Sequence, residues 1–342
     1  MLKPPLPCGI FTINKADKMN YNLNQIEILQ SLDAILQTPG FNSFQLTPLE
    51  QSILSDAQNQ SHHKRIQFVK SLQPPTPQIL YKYYDSPLNK PTEELIHKAK
   101  SNLECILLNN ELYLSSHTDF NDPFDAYPHY DLTNTTSREI LDYCTKSIQT
   151  THPKLKGGAL KREIDKLVQS IKTHKEASLQ NFVFAMRTIN KNYGIYCLTT
   201  DPSNVLMWSH YAHNHQGICL EFDISEHLFL TFRLFEVSYK DNKREVLKPF
   251  QEFTTKDFEA CLLKKAKSWE YEKEWRLIFS NKCHEKLRIP PTLIKKIIIG
   301  PKASPETIEY AHEINLKRKE HDLPQLSIKR GRLCDKEYKV TF

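Results

Sequence analysis

Six short runs of aromatic, β-branched and aliphatic residues follow one another in the later part of this 342-residue chain: "YGIYCLTT", "GICLEFDI", "FEVSYK", "EWRLIFS", "IKKIIIG" and "LSIKRG". Runs of this length and composition read as β-strands. No regular helix alternates with them, as a βαβ repeat would require, so they predict an α+β fold with a mixed, largely antiparallel sheet and helices packed on it. A doubly wound nucleotide fold does not fit. The composition agrees, because 8 glycines stand against 20 prolines and no GxGxxG or GxxxxGK[ST] loop occurs.

Upstream, "ILYKYY" reads as a strand, residues 92–107 as a helix and "ELYLSS" as another strand. The Asn-, Asp- and Pro-rich "HTDFNDPFDAY" reads as a loop, and a Lys-rich helical insert follows over about 136–190. Later helices are expected across 251–268 and from "SPETIEYAHEIN", with Ser304 as N-cap and Pro305 in the first turn. The prolines of "QPPTPQ" cannot continue a helix. They divide an N-terminal helical appendage, residues 1–76, from a main domain over 77–342. Within the appendage, Ile26, Leu29, Leu32, Ile35 and Leu36 recur at helical spacing.

The net charge of +6 arises from 46 basic and 40 acidic residues spread along the chain, too mild and too dispersed to demand nucleic acid. Eight isolated cysteines without a CxxC pair read as buried thiols of a reducing compartment. With no apolar h-region and no run of about 18 apolar residues, the expectation is a soluble cytoplasmic protein with no membrane partner.

Three segments carry candidate chemistry. In "NVLMWSHYAHNHQGICLEFD", His210, His213 and His215 are three and two residues apart, a spacing that gives no shared helical face, so no metal is expected there. Trp208 and Tyr211, three apart on a helical turn, are expected to point the same way and line a pocket wall. In "FNDPFD", Asp122 and Asp125 make Asx-type turns or, alternatively, chelate a cation. In "WEYEKEWRLIFS", strand alternation places Glu272, Glu274 and Arg276 on one face and Trp275, Leu277 and Phe279 on the other. The carboxylates form a usable catalytic pair or, as readily, half of a solvent-facing ion pair with arginine.

The blocks "LYKYY", "LYLSSHTDFNDPFDAY", "GIYCLTTDPSNVLMWSHYAHNHQGICLEFD" and "WEYEKEWRLIF" followed by "IKKIIIGP" resemble, in order over residues 79 to about 302, the bacterial family called domain of unknown function 2971. That resemblance implies no established reaction. More distantly, the order of a "YKY" strand, a helix, an "LYLSS" strand, a W-x-x-Y block and a strand with Glu-x-Glu is similar to the ADP-ribosyltransferase superfamily, including its DNA- and RNA-modifying branches. This likeness implies NAD as co-substrate. Lys82 falls where that superfamily has an NAD-holding His or Arg, a departure that leaves Tyr81 or Tyr83 as substitutes. The middle position is Thr199 or Ser209. Glu274 corresponds to the catalytic carboxylate and Glu272 to the acceptor-side residue.

The chemistry also stands without the family. Breaking the nicotinamide–ribose bond develops an oxocarbenium-like cation that a fixed carboxylate stabilises. Tyr83, Trp208 or Tyr211 would stack on nicotinamide, and Lys82 or Arg276 would meet the diphosphate. The expectation is thus an NAD-dependent ADP-ribosyltransferase-like enzyme, a toxin or phage-defence effector, acting on a protein or nucleic-acid acceptor. Two alternatives are a metal-dependent nuclease or hydrolase using Asp122, Asp125, Glu221 and the histidines, and a non-catalytic nucleotide-sensing or protein-binding module.

Overall fold

The computed structural model describes residues 76–342 except 89, 226–227, 232, 242 and 252–254. The helix expected over 22–37, with the rest of the N-terminal appendage, lies outside the described residues. Among the described residues the chain forms two compact units: one of Ser116–Tyr193 with Ser238–Lys267, the other of the residues up to Ser115 with Gly194–Val237 and Ser268–Phe342.

The second unit holds a seven-stranded sheet. Its strands are β1 (Ile79–Tyr84), β2 (Gly194–Thr199), β3 (Ile218–Asp223), β4 (Leu234–Glu236), β5 (Glu274–Phe279), β6 (Ile294–Ile299) and β7 (Ser327–Arg330). The spatial order is β7-β6-β3-β1-β2-β5-β4. Every neighbouring pair is antiparallel except β6 and β7. A parallel pair needs a crossover, and the helix Pro305–Glu320 lies between those two strands in sequence. The fold is therefore α+β with a mixed, largely antiparallel sheet, as the strand-rich second half of the sequence predicts.

Alternation along the strands gives the sheet two unlike faces. On one, Leu80, Tyr196, Leu198, Leu220, Phe222, Leu277, Phe279, Ile297 and Ile299 join a single apolar core. Helices α1 (Glu93–Leu107), α2 (Val205–Tyr211) and α3 (Pro305–Glu320) belong to this unit. Leu103, Ile106 and Leu107 of α1 and Tyr310, Ala311 and Ile314 of α3 complete that core. Ser304 caps α3 by accepting a hydrogen bond from the Thr307 backbone N–H, with Pro305 at the first helical position, as their sequence order anticipates. Arg318, fully buried on α3, donates to the carbonyls of Leu107, Pro291 and Pro324 and so satisfies the α1 end. The other face carries Tyr83, Cys219 and Ile298, packed with Met207, Trp208 and Ala212 of the α2 segment.

In the first unit, helices Ser137–Thr151, Gly157–Thr173 and Lys175–Asn190 pack around Ile140, Cys144, Ile148, Ile164, Ile171 and Phe250. Thr136 and Glu139 form a capping box that holds the Glu139 carboxyl at about 2, chiefly through the Thr136 backbone N–H. The helix expected across 251–268 is shorter. It spans Thr255–Leu262, and Lys264–Ala266 is instead a strand paired parallel to Ser238–Lys240. "FEVSYK" correspondingly divides between β4 and that second strand, so tertiary pairing overrides local helix preference in "LLKKAK". Among the described residues no helix is long and apolar enough to cross a membrane.

The turn joining α2 to β3 tolerates no side chain at Gly217, where a Cβ would fall inside the contact radius of the Tyr84 carbonyl oxygen. Both obstructing neighbours, Tyr84 and Ala212, present backbone atoms there. Gly217→Ala is expected to lower unfolding free energy by about 1–3 kcal/mol through overpacking. An unchanged denaturation midpoint would show that the turn relaxes freely.

Candidate functional site

Strand register gathers the polar residues of the sheet into one row. Lys296 on β6 faces Glu221 on β3, Glu221 faces Tyr81 on β1, Tyr81 faces Thr199 on β2, and Thr199 faces Glu274 on β5. Residues directly opposite on paired strands share a face. The row therefore crosses five adjacent strands on the face opposite the large apolar core.

Three of its members, Lys296, Glu221 and Tyr81, are joined by hydrogen bonds, while Thr199 and Glu274 bond neighbouring groups of the protein. The Lys296 ammonium donates to Glu221 Oε2 at 2.5 Å, and the Tyr81 hydroxyl donates to the same oxygen at 3.2 Å. Burial, reinforced by the Glu221 charge, pushes the Tyr81 pKa up, so this phenol stays a donor. Thr199 Oγ1 accepts from the Asp201 backbone N–H at 3.0 Å. Arg276, fully buried, grips Glu274 bidentately from two residues along β5, Nε to Oε1 at 2.8 Å and Nη2 to Oε2 at 3.0 Å.

The strand β5 begins at Glu274, so the alternation expected through "WEYEKEW" holds for Glu274, Arg276 and their apolar counterparts but not for Glu272. Glu272 ends a 3-10 segment, Lys267–Glu272, and Lys273 between the two carboxylates has φ 43°. Glu272 is nonetheless buried and accepts a 2.5 Å hydrogen bond from the Tyr211 hydroxyl of α2. Glu274 is only 5% exposed, so the solvent-facing ion pair expected from the sequence is a buried one.

The local sequence explains how α2 is held. Asn204 caps it, accepting from the backbone N–H groups of Leu206 and Met207 and donating to the Tyr271 carbonyl at 3.1 Å. Trp208 is completely buried, its indole N–H on the Pro202 carbonyl and its ring edge-on to Tyr83 at 5.0 Å. Tyr83 is buried too and donates to the Asp201 carbonyl at 2.8 Å. Trp208 and Tyr83 are thus core residues whose rings meet protein, whereas Tyr81 and Tyr211 are half-buried. Beside Tyr211 lie the His210, Tyr271 and Trp269 rings, with successive centroids about 6 Å apart.

Lys82 lies on the opposite face of the sheet, its ammonium 5.1 Å from the centre of the Tyr196 ring, and does not join Glu274. Arg276 is sealed inside and engaged with Glu274, so neither basic residue expected to meet a diphosphate is placed to do so. Of the two middle-position alternatives, Thr199 shares the row. Ser209 turns away, donating to the Val205 carbonyl of its own helix at 2.8 Å with His215 Nε2 3.0 Å from its oxygen. His213, Asn214 and His215 are three consecutive residues at positive φ. His210 and His213 are exposed. Among the described residues no group of three or more His, Cys, Asp or Glu is placed to hold a metal.

Lys296 is not singled out by the sequence, and Glu221 is expected there only as a metal ligand; their pairing across β6 and β3 is set by strand register. The thiols on this face are inert: burial first, then the neighbouring carboxylates Glu274 and Glu221, push Cys197 and Cys219 far up.

Removing one partner of a buried pair leaves an uncompensated charge, so Arg276→Met is expected to destabilise by about 3–5 kcal/mol. Replacing Glu274 by Leu as well should restore much of that loss in a double-mutant denaturation cycle, and purely additive losses would show that the pair is not coupled. The His215 pKa is depressed, first by burial and then by the Lys302 charge. Above about pH 6.5 both folded and unfolded forms carry a neutral ring. Below it the unfolded chain binds a proton that the folded ring resists, so stability falls with pH. Thermal melts between about pH 7 and pH 5 should show a shallower acid limb in His215→Gln, and an identical limb would remove His215 from the account.

The family profile described as Protein of unknown function (DUF2971) matches residues 207–277, from α2 into β5. No curated protein and no solved structure matches the chain. The matched stretch, which is similar to that family, carries Tyr211, Glu221, Glu272, Glu274 and Arg276.

Proposed function

We propose that the chain is an NAD-dependent ADP-ribosyltransferase-like enzyme that cleaves the nicotinamide–ribose bond and passes ADP-ribose to a macromolecular acceptor. The observation that carries this reading is the register of Tyr81, Thr199 and Glu274 as direct neighbours on three adjacent strands. The ADP-ribosyltransferase-like pattern has an NAD-holding His or Arg on the first strand, a hydroxyl on a middle strand and a carboxylate on the last, and here Tyr81 stands in for the first of these. Glu274, oriented from both oxygens by Arg276, is the carboxylate that faces the oxocarbenium-like centre. Preorganisation of that kind costs no rearrangement when positive charge develops on the ribose. Tyr81 and Tyr211 are the half-buried rings available to nicotinamide, and Glu272 with its Tyr211 partner is the acceptor-side carboxylate. Exposed Lys273, which pairs with Asp201 next to Glu274, is the cation on hand for the diphosphate in place of Lys82 and Arg276.

The test uses the full chain, NAD labelled in its adenylate, and separate protein and nucleic-acid acceptor fractions. Nicotinamide release and label transfer are read beside a melting curve. Glu274→Gln keeps shape and loses charge, so turnover should fall roughly 10²-fold or more. Because Glu274 is buried and paired, that variant also loses stability, and Thr199→Val serves as a second probe on the same row. NAD binding without nicotinamide release by the wild-type chain would favour the non-catalytic sensing module. A folded Glu274→Gln as active as wild type would sink the assignment.

A further inference from the structure

The loop "FNDPFDAY" uses up its own carboxylates. Asp122 accepts from the Phe124 backbone N–H at 2.8 Å in an Asx turn, and buried Asp125 pairs with buried Lys265 at 3.3 Å. Both aspartates are structural, and the chelating role considered for them finds no cluster. Ala126 then takes φ 55°, a left-handed conformation that costs a non-glycine residue about 1–2 kcal/mol, and Tyr127 follows it.

Two guanidiniums converge on that ring. The Arg187 guanidinium carbon lies 4.0 Å from the Tyr127 ring centre and that of Arg244 4.7 Å. Arg244 is fixed further by hydrogen bonds to the Tyr127 carbonyl, from Nε at 3.1 Å and Nη2 at 2.7 Å, and to the Pro128 carbonyl at 3.0 Å. Neither arginine forms an ion pair with a described carboxylate, and Arg187 makes no hydrogen bond to any described residue. A second cation held at the same ring lowers the proton affinity of Arg187. Arg187 is depressed by partial burial and then by Arg244, and Arg244 by burial.

Ordinary surface arginines avoid this arrangement by finding a carboxylate. Here the stems are ordered by stacking in advance, which removes part of the entropy a ligand would otherwise have to overcome. A carboxylate ligand would answer only one fork, whereas a tetrahedral dianion offers charge and acceptor oxygens to two. From the convergence of Arg187 and Arg244 on Tyr127, we infer a phosphoryl-anion binding site, with Arg187 supplying the open donor fork and Arg244 the fixed charge. The phosphoryl group belongs to a free phosphate compound or to a nucleic-acid backbone.

Calorimetric titration of the full chain with inorganic pyrophosphate, and separately with a short single-stranded oligonucleotide, tests this at two salt concentrations. Saturable binding of pyrophosphate would support the site and assign it to free phosphates. Binding of the oligonucleotide alone would support it and assign it to backbone phosphates. Arg187→Ala should weaken the bound probe roughly tenfold or more, the loss of hydrogen bonds to a charged group. Its melting temperature should stay put, because Arg187 is an exposed helix residue. Arg138→Ala, which removes an exposed arginine elsewhere in the same unit, should bind as wild type. Failure of both probes to bind, equal affinity in Arg187→Ala, or equal weakening by Arg138→Ala would each overturn the inference.

Discussion

A carboxylate and a guanidinium two residues apart on one strand, both shut away from water, set the terms for the sheet of the second unit. Taking Glu274 and Arg276 out of solvent is expensive, and only near-ideal geometry offsets it. The bidentate contact supplies that geometry, but it fixes β5 in register with β2, since a slip of one residue would turn both charges into the apolar core. The same constraint propagates sideways through Thr199 and Tyr81 to the Glu221–Lys296 pair. One ion pair stands at each end of the row, Glu274–Arg276 within β5 and Glu221–Lys296 across β3 and β6, and beside the row the same face carries the apolar cluster of Tyr83, Cys219 and Ile298.

That polar face is closed by a short helix whose own residues are mostly spoken for. Trp208 and Ala212 are buried, Asn204 is a cap, and Ser209 bonds its own backbone. Tyr211 alone of the aromatic residues expected from "MWSHYA" reaches a carboxylate. Trp208 and Tyr83 hold the helix to the sheet, and Tyr81, Tyr211 and Tyr271 are the partly buried rings packed against that cluster. The buried tyrosines and cysteines of this region all keep their protons, so carboxylates and ammonium or guanidinium groups carry its charge.

Much of this was legible in the chain itself. Period-2 alternation in "EWRLIF" and the aliphatic runs of "GICLEFD" and "IKKIIIG" gave the strands and their apolar sides, and Ser304-Pro305 marked the start of α3. What could not be read was depth. Nothing local distinguishes a buried Glu-Arg pair from an exposed one, because burial depends on α2 and the 3-10 segment packing overhead. Lys82 illustrates the other limit. Its place in "YKY" gave it an expected role beside Glu274, yet parity along β1 puts it behind the sheet, and the tyrosines flanking it share the face that carries Glu274. The extension of strand alternation back to Glu272 failed for a backbone reason, the positive φ at Lys273, which no side-chain pattern announces. In "LLKKAK" the sequence preferred helix and long-range pairing prevailed.

The central strand has a peculiarity of timing. β1 is made first, yet both of its partners come much later, Tyr81 waiting for Thr199 and Glu221 with the whole of Ser116–Tyr193 emerging in between. At ordinary translation speeds that gap lasts on the order of ten seconds. Through it "ILYKYY" leaves the ribosome with two unpaired edges and several bare aromatic rings, the composition most prone to pairing with the wrong strand. The lysine at its centre then has a use that the finished fold conceals: a charge in the middle of an aromatic hexapeptide is a guard against aggregation during synthesis.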